Sequence, residues 1–444
     1  MGEIKRRVLI VDDDAAIRGL AADVLSPEYE VIGAEDGQDG WKKALSWRPA
    51  LVISDLMMPR MHGYELCRLL RGPDGLNGVK ILVMSSKSFA TDKTQAMAAG
   101  ADDYIVKPFS VNDLLEKVKK LLSAGTDVRP LPRHAVDNPG VTSRHSSLVS
   151  PAKPQAQLPV CVRFWGTRGS CPTGGVKTVR YGGNTPCTEV RIGGVPLIID
   201  CGTGLRELGG ELAREFADRP IEGHIFVGHT HWDHIQGFPF FTPLYNPHNT
   251  FTVYSVRGAR NSLRSTFSDS MALDYFPVPL SSLASKLNFV ELQGAVDIGV
   301  AKVSFHHLNH PGVCIGFRIE AQGKVITYLS DHEGFARLGG DSEMARRQDA
   351  AVLSFAQGSA LLIKEAQYTE KEYATRKGWG HSTYDDAAAF AAAAGVKRLA
   401  LFHHDPDHTD EIMNANVKHC QALLGAAGVK TECFAAWDGL RINL

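Results

Sequence analysis

His224-Ile-Phe-Val-Gly-His229-Thr-His231-Trp-Asp233-His234 is a short apolar run that ends in four metal-ligating side chains within six residues. A strand alternates its side chains and a helix spreads them by 100° each, so neither can aim all four at one place. A tight loop after a strand can. Two imidazoles then face one metal ion while Asp233 and His234 face a second. Further ligands must come from elsewhere, and candidates stand at the ends of other apolar runs. His310 precedes Pro-Gly-Val-Cys-Ile-Gly-Phe-Arg, Asp331 ends Val-Ile-Thr-Tyr-Leu-Ser, and His403 ends Arg-Leu-Ala-Leu-Phe. A carboxylate such as Asp331 can bridge two ions ~3.5–4 Å apart and so lower the pKa of a shared water to ~7. Imidazole plus carboxylate without thiolate favours Zn²⁺, with Mn²⁺ or Fe as substitutes.

Around this loop the chain reads as many strands with helices at intervals. Val160–Trp165, Thr188–Ile192, Val195–Ile199, His224–Val227, Phe251–Ser255, Lys302–Phe305, Val313–Ile319, Lys324–Leu329 and Lys397–Phe402 are strand-like. Gly204–Phe216, Asp341–Phe355 and Asp385–Gly395 are helix-like, and together they predict a mixed αββα sandwich over residues 160–444. Of 17 histidines only His62, His134 and His145 precede residue 159. Residues 124–159, rich in Pro, Ser and polar side chains, read as a flexible linker.

Residues 1–123 follow another rhythm. Val8–Val11, Leu51–Ile53, Ile81–Met84 and Tyr104–Val106 are continuous apolar runs, separated by helical patterns such as Ala15–Leu25, Gly63–Arg71 and Val111–Leu122. This is the pattern of a doubly wound (βα)5 domain with a parallel sheet buried on both faces. Function in such sheets collects at the carboxyl ends of strands. That rule gathers Asp12, Asp13, Asp55, Ser85 and Lys107. Converging carboxylates repel, and Mg²⁺ with oxygen ligands relieves them.

Composition bounds the rest. The 444 residues are 44% hydrophobic and 22% charged, with 48 Lys+Arg against 49 Asp+Glu, a net charge of -1. That balance speaks against a broadly basic nucleic-acid platform. No apolar run approaches the ~18 residues of a membrane span, and the opening Met1-Gly-Glu-Ile-Lys-Arg-Arg does not read as a signal peptide. The eight cysteines form no C-x-x-C pair and read as reduced thiols, so a cytoplasmic location is expected.

Two resemblances sharpen these readings. Val-Asp12-Asp13-Asp, Ser54-Asp55-Leu-Met-Met-Pro-Arg-Met-His-Gly63, Met84-Ser85-Ser and Tyr104-Ile-Val-Lys107-Pro108-Phe make residues 6–123 resemble a response-regulator receiver domain. The resemblance implies Asp55 as phosphoacceptor, with Asp12 and Asp13 supporting Mg²⁺. It also implies Ser85 and Lys107 as sensors of the phosphoryl group, Tyr104 as an aromatic switch, and a sensor histidine kinase as phosphodonor. His62 stands where an Asp is common, and no function is assigned to it.

Residues 160–444 resemble the metallo-β-lactamase superfamily, and within it the ribonuclease Z-like and PhnP-like phosphodiesterase branch. Besides the histidine loop, the matches are Phe164-Trp-Gly-Thr-Arg-Gly-Ser170, Tyr181-Gly-Gly-Asn-Thr-Pro-Cys-Thr-Glu-Val, Ile199-Asp200-Cys-Gly-Thr-Gly, Lys364-Glu365-Ala-Gln-Tyr and Gly380-His381-Ser382-Thr383. Carried over, His229, His231 and His310 would hold one metal, Asp233, His234 and His403 the other, and Asp331 would bridge. His381 would touch the scissile phosphate with Glu365 behind it orienting the ring, and Asp200 would brace the metal loop. His404 is a rival to His403, while His306, His307, His332 and His408 are expected to be spectators. Two departures stand out: Lys364 where the branch has His, and Ser330-Asp331-His332 where it has Gly-Asp-Thr. The segment from Gly237 to Glu291, with Phe240, Phe241, Tyr245, Tyr275 and Phe276, is expected to form a pocket wall or lid.

The function expected from all this is a metal-dependent phosphodiesterase controlled by phosphorylation of Asp55. Its substrate would be a phosphodiester, with nucleotides among the candidates. No membrane partner and no dedicated DNA-binding domain are expected, and a homodimer stays open. The alternatives are a lactone, lactam or thioester hydrolase and a catalytically silent adaptor.

Overall fold

A computed structural model describes every residue except 1–4, 59, 73–74, 77, 87–89, 124–158 and 259–260. The expected linker at 124–159 thus lies, apart from Pro159, outside the described residues.

The first unit is a five-stranded parallel sheet of β1 (Arg7–Val11), β2 (Glu30–Ala34), β3 (Leu51–Asp55), β4 (Lys80–Ser85) and β5 (Asp103–Val106), in the order β2-β1-β3-β4-β5. Five helices cover it: α1 (Ala15–Leu25), α2 (Gly37–Trp47), α3 (Gly63–Arg71), α4 (Ala90–Ala98) and α5 (Val111–Ser123). Residues on both faces of the central strands are fully buried, which is why Val8–Val11 and Leu51–Ile53 are unbroken apolar runs. The order places the ends of β1, β3, β4 and β5 side by side, so Asp12, Asp55, Ser85 and Lys107 meet at one edge.

The second unit has two seven-stranded sheets. Its strands are β6 (Val160–Gly166), β7 (Cys187–Ile192), β8 (Val195–Ile199), β9 (Glu222–Phe226), β10 (Thr250–Ser255), β11 (Lys286–Glu291) and β12 (Val296–Asp297). They continue as β13 (Lys302–His307), β14 (Ile315–Ala321), β15 (Lys324–Leu329), β16 (Leu361–Glu365), β17 (Arg398–Phe402), β18 (Glu432–Ala435) and β19 (Arg441–Asn443). One sheet runs β11-β10-β9-β8-β7-β6-β19 and the other β12-β13-β14-β15-β16-β17-β18. Val162, Phe164, Leu197 and Phe226 from the first sheet pack against Phe317, Tyr328, Ile363 and Phe402 from the second in one apolar layer. Helices pack on each outer face, giving the expected αββα sandwich.

The helix Tyr384–Ala394 shows how sequence sets one outer layer. Ala387, Ala388, Ala391 and Ala394 are buried at helical spacing, and their small size lets the helix approach the sheet closely. Thr383 and Asp386 form a capping box at its start, and Gly395, in the left-handed region at φ 59°, ends it. Such a cap contributes about 1 kcal/mol and fixes the chain just after His381-Ser382.

Within the segment Gly237–Glu291, β10 and β11 extend the first sheet, and Phe241 is fully buried against Phe251. Alternating apolar residues in Phe251-Thr-Val-Tyr are what that half-buried position requires. Phe240, Tyr245 and Tyr275 remain exposed. Among the described residues no helix is long and apolar enough to cross a membrane.

Candidate metal centre and acceptor pocket

Strand β9 ends at Phe226, and the chain then passes through His229 and His231 into a single helical turn, Trp232–Ile235, that carries Asp233 and His234. Loop and turn together do what the sequence required of a tight loop. His310 follows β13, Asp331 follows β15 and His403 follows β17, so all seven candidates gather where strand ends of the two sheets converge.

The distances are short. His310 Nε2 lies 3.0 Å from His231 Nδ1, and His234 Nε2 lies 3.3 Å from His403 Nε2. His403 Nε2 is also 3.1 Å from Asp233 Oδ2. Asp331 stands between the two groups: Oδ1 is 3.3 Å from His234 Nε2, while Oδ2 is 3.7 Å from both His229 Nε2 and His310 Nε2 and 3.4 Å from His403 Nε2. Ligand atoms of His229, His231 and His310 lie within 4.8 Å of one another, as do those of Asp233, His234 and His403.

Outer partners fix which nitrogen faces inward. His234 Nδ1 donates to Asp200 Oδ2 at 2.8 Å, His310 Nδ1 to the Gly380 carbonyl at 2.9 Å, and His403 Nδ1 to Gln367 Oε1 at 3.0 Å. Each of these rings then presents an Nε2 lone pair to the centre. Asp200 also accepts from Gly228 N and Tyr328 Oη, which makes it the brace expected of it. Among the described residues neither ring nitrogen of His229 has a hydrogen-bond partner. Inward lone pairs, an orphaned buried imidazole and interleaved carboxylates fit a pair of divalent cations.

Without a cation between them, the carboxylates draw a proton onto the nearest imidazole, the place a metal ion would take. Burial disfavours charge on His234, but the carboxylates of Asp233, Asp331 and Asp200 outweigh it and hold the ring well above the ordinary imidazole range. Burial, with neighbouring imidazoles adding to it, holds His229 well below that range. Asp331 is kept well below the carboxylate range, because four surrounding imidazoles outweigh its burial.

His381 Nδ1 has no hydrogen bond and lies 3.9 Å from Asp331 Oδ2. Burial, the largest influence, pulls its pKa down to about 3, so the ring is neutral. Its ligand atom also groups with those of His310 and Asp331, within metal reach. Glu365 departs from expectation. Its Oε2 is 4.0 Å from His381 Nδ1, too far for a hydrogen bond, because Ser382 N and Oγ hold Oε1 at 2.6 Å. Glu365 thus orients the chain that carries His381 rather than its ring. Lys364, the departure from the family pattern, donates to Ser382 Oγ at 2.8 Å.

His404 turns away: its Nε2 donates to the Ala436 carbonyl at 2.8 Å. His332 accepts from Asn309 N, and His408 pairs with Glu372. Several site residues escaped sequence reading. Gln367 orients His403, Ser170 N donates to Asp233 Oδ2 at 2.8 Å, and Glu333 accepts from Gly378 N, Gly380 N and Tyr373 Oη. Their signal was position, in segments already marked by motifs, rather than residue type. Gly169 and Gly380 have no room for a Cβ, which would collide with His403 and His310 respectively.

In the acceptor pocket Lys107 Nζ donates to Asp12 at 2.6 Å and Asp55 at 2.5 Å. Burial raises Asp12 to about 6, aided by Asp55 and opposed by Lys107. Burial also raises Asp55. Asp13 is exposed at the mouth, and Tyr104 is buried and hydrogen-bonded to Ser85. His62 gains a role the sequence did not suggest. Its Nδ1 caps α3 by accepting from Glu65 N, and its Nε2 donates to the Arg257 carbonyl of the second unit at 2.9 Å.

Comparisons with known proteins follow this division. Residues 8–119 match the response regulator receiver domain and residues 197–404 the beta-lactamase superfamily domain. A probable transcriptional regulatory protein of Picosynechococcus is 37% identical over 140 residues, 30% of this chain and 55% of that protein. The chain spans about half the length of the curated relatives it matches. Solved structures similar to the chain include the metallo-beta-lactamase fold protein YhfI from Bacillus subtilis, 18% identical at TM-score 0.46, covering 64% of this chain and 100% of that one. A diphosphatase from the PhnP family is 17% identical at TM-score 0.45, covering 64% and 98%. Human tRNase Z, short form, is 21% identical at TM-score 0.44, again covering 64% and 98%.

Proposed function

We propose, for a chain that carries a response regulator receiver domain followed by a beta-lactamase superfamily domain, a phosphorylation-controlled dinuclear metal phosphodiesterase. His229, His231 and His310 would hold one Zn²⁺, Mn²⁺ or Fe ion, Asp233, His234 and His403 a second, and Asp331 would reach both. Bound there, such ions supply Lewis acidity toward a phosphoryl oxygen and a more acidic water. The chain's own residues do the remaining work. Asp200, Gln367 and the Gly380 carbonyl fix the imidazoles, and the neutral His381 donates a hydrogen bond where negative charge grows on the leaving oxygen. Glu365 and Lys364 hold Ser382, and with it the His381 loop.

In the receiver, Asp55 would accept a phosphoryl group from a sensor histidine kinase, with Mg²⁺ held by Asp12 and Asp13. Lys107 already bridges Asp12 and Asp55 and would neutralise the incoming charge. The observation that carries the hydrolase reading is His381 Nδ1, unpartnered beside Asp331 at 3.9 Å. Metal-loaded protein is expected to hydrolyse bis(p-nitrophenyl) phosphate and cyclic dinucleotides. His381→Ala should keep its metal and lose roughly 10²–10⁴-fold in turnover, most on poor leaving groups. Loss of metal in that variant would make His381 a ligand. Lactone or thioester turnover without diester turnover would move the chain to the other hydrolase class, and no turnover at all would favour an adaptor.

A further inference from the structure

Three consecutive residues of the helix Glu343–Ala356 contact segments adjoining both functional sites. Arg347 NH1 lies 3.8 Å from Asp14 Oδ2, just after Asp12-Asp13 on one rim of the acceptor pocket. Gln348 Nε2 donates at 2.6 Å to Ser86 Oγ, just after Ser85 on the other rim. Asp349 accepts from Phe335 N at 2.8 Å and Ala336 N at 2.9 Å, in the segment that follows Asp331-His332-Glu333. One helix therefore links the rims of the Asp55 pocket to the segment that follows Asp331.

A second seam lies beside the first. Asp92, fully buried on α4, accepts through one oxygen from Tyr64 Oη at 2.9 Å and from Gly312 N at 3.2 Å. Gly312 holds φ 81°, and Val313 packs against both the receiver core and the layer between the two sheets. Both belong to the loop that begins at His310. The receiver is thus joined directly to the loop after His310 and to a helix whose Asp349 holds the segment after Asp331.

We propose that the helix Glu343–Ala356 is the surface through which the phosphorylation state of Asp55 reaches the metal centre. This rests on reading Asp55 as the acceptor and Asp331 as a ligand. The acyl phosphate on Asp55 carries about -1.5 to -2 charges where the carboxylate carried -1, so negative charge grows between the two rims. Arg347 places a hydrolase cation beside Asp14 on that rim, and Ser86 must move with Ser85 when Ser85 turns to the new oxygens. Displacement at Arg347 and Gln348 is transmitted by Asp349 to the backbone after Asp331. A bistable contact of this kind is how a local charge becomes a distant rearrangement.

The test is hydrogen exchange of the full chain with and without beryllofluoride and Mg²⁺. In the wild type the mimic should change exchange at Phe335 and Ala336 by about tenfold, the weight of one backbone hydrogen bond. The double variant Arg347→Ala, Gln348→Ala should still respond at residues 104–109 but not at 335–336. Because both side chains lie outside the cores, the variant tests contact rather than folding. An unchanged response at 335–336 in the double variant overturns the proposal. So does a wild type that responds at 104–109 and not at 335–336. No response anywhere overturns it too, and then locates the failure in Asp55 as acceptor. Since exchange needs no substrate, none of these outcomes depends on the phosphodiesterase reading.

Discussion

Replacing Asp200 by Asn should weaken metal binding without unfolding the protein. Asp200 is fully buried and receives three donors, Gly228 N at 2.8 Å, His234 Nδ1 at 2.8 Å and Tyr328 Oη at 2.6 Å. An amide keeps the volume and one oxygen, enough for Gly228 N. Its NH2 then replaces the oxygen that His234 and Tyr328 share. Tyr328 can turn its hydroxyl and accept instead, but His234 must shift its proton from Nδ1 to Nε2 to avoid facing a donor. That proton occupies the nitrogen that lies 3.3 Å from His403 Nε2 and from Asp331 Oδ1. Lost partners behind a metal ligand typically cost 10–100-fold in affinity, about 1.4–2.7 kcal/mol. Zn²⁺ titration against a chromophoric chelator measures this, and thermal unfolding of the metal-free form controls for the fold. The weaker of the two binding steps should move by that amount while the metal-free midpoint shifts little. Wild-type affinity at both steps would refute the role given to Asp200.

Other outcomes follow from single contacts. Gly169→Ala would drive a methyl group into His403, so one metal should be lost in elemental analysis while the receiver's beryllofluoride response survives. His62 is held at about 4, first by burial and then by Arg68 and Arg257, although its bond to the Arg257 carbonyl opposes the shift. Its folded pKa lies below its unfolded value of 6.5, so the neutral ring favours the folded state above that pH. This advantage is lost as pH falls from about 6.5 to 4, by about 3 kcal/mol. Denaturant titrations of wild type and His62→Asn, which keeps a capping side chain, should diverge by that amount across the interval. Parallel curves would contradict the shift.

The fold was legible in the sequence because its apolar runs obey simple periods. Val8–Val11 and Leu51–Ile53 are unbroken and central, and Val160, Val162 and Phe164 take every second place in a strand to face the core shared by the two sheets. Less visible were edges and outer layers. The strands Lys286–Glu291 and Arg441–Asn443 are short or half exposed, and the helix Asp410–Ala426 buries only a thin stripe of Met413, Asn416, Cys420 and Leu424. At the site, ligands were legible because histidine is costly to gather without purpose, whereas Gln367, Glu333 and Ser170 act through hydrogen bonds that many polar residues make. Glu365 stands 4.0 Å from the His381 ring and bonds to Ser382 instead, a matter of three-dimensional placement that a motif, which gives only order along the chain, does not carry. The seam at His62, Asp92 and Gly312 joins residues about 190–220 positions apart, and no local pattern announces it.

Metal stoichiometry tests the central claim most directly. Protein prepared under metal control and reconstituted with Zn²⁺ should hold two ions per chain by elemental analysis. Asp331→Ala should hold one or none, since that carboxylate faces His229, His234, His310 and His403 together. Wild-type protein that binds no transition metal, or an Asp331→Ala variant that keeps both ions, would contradict the dinuclear centre.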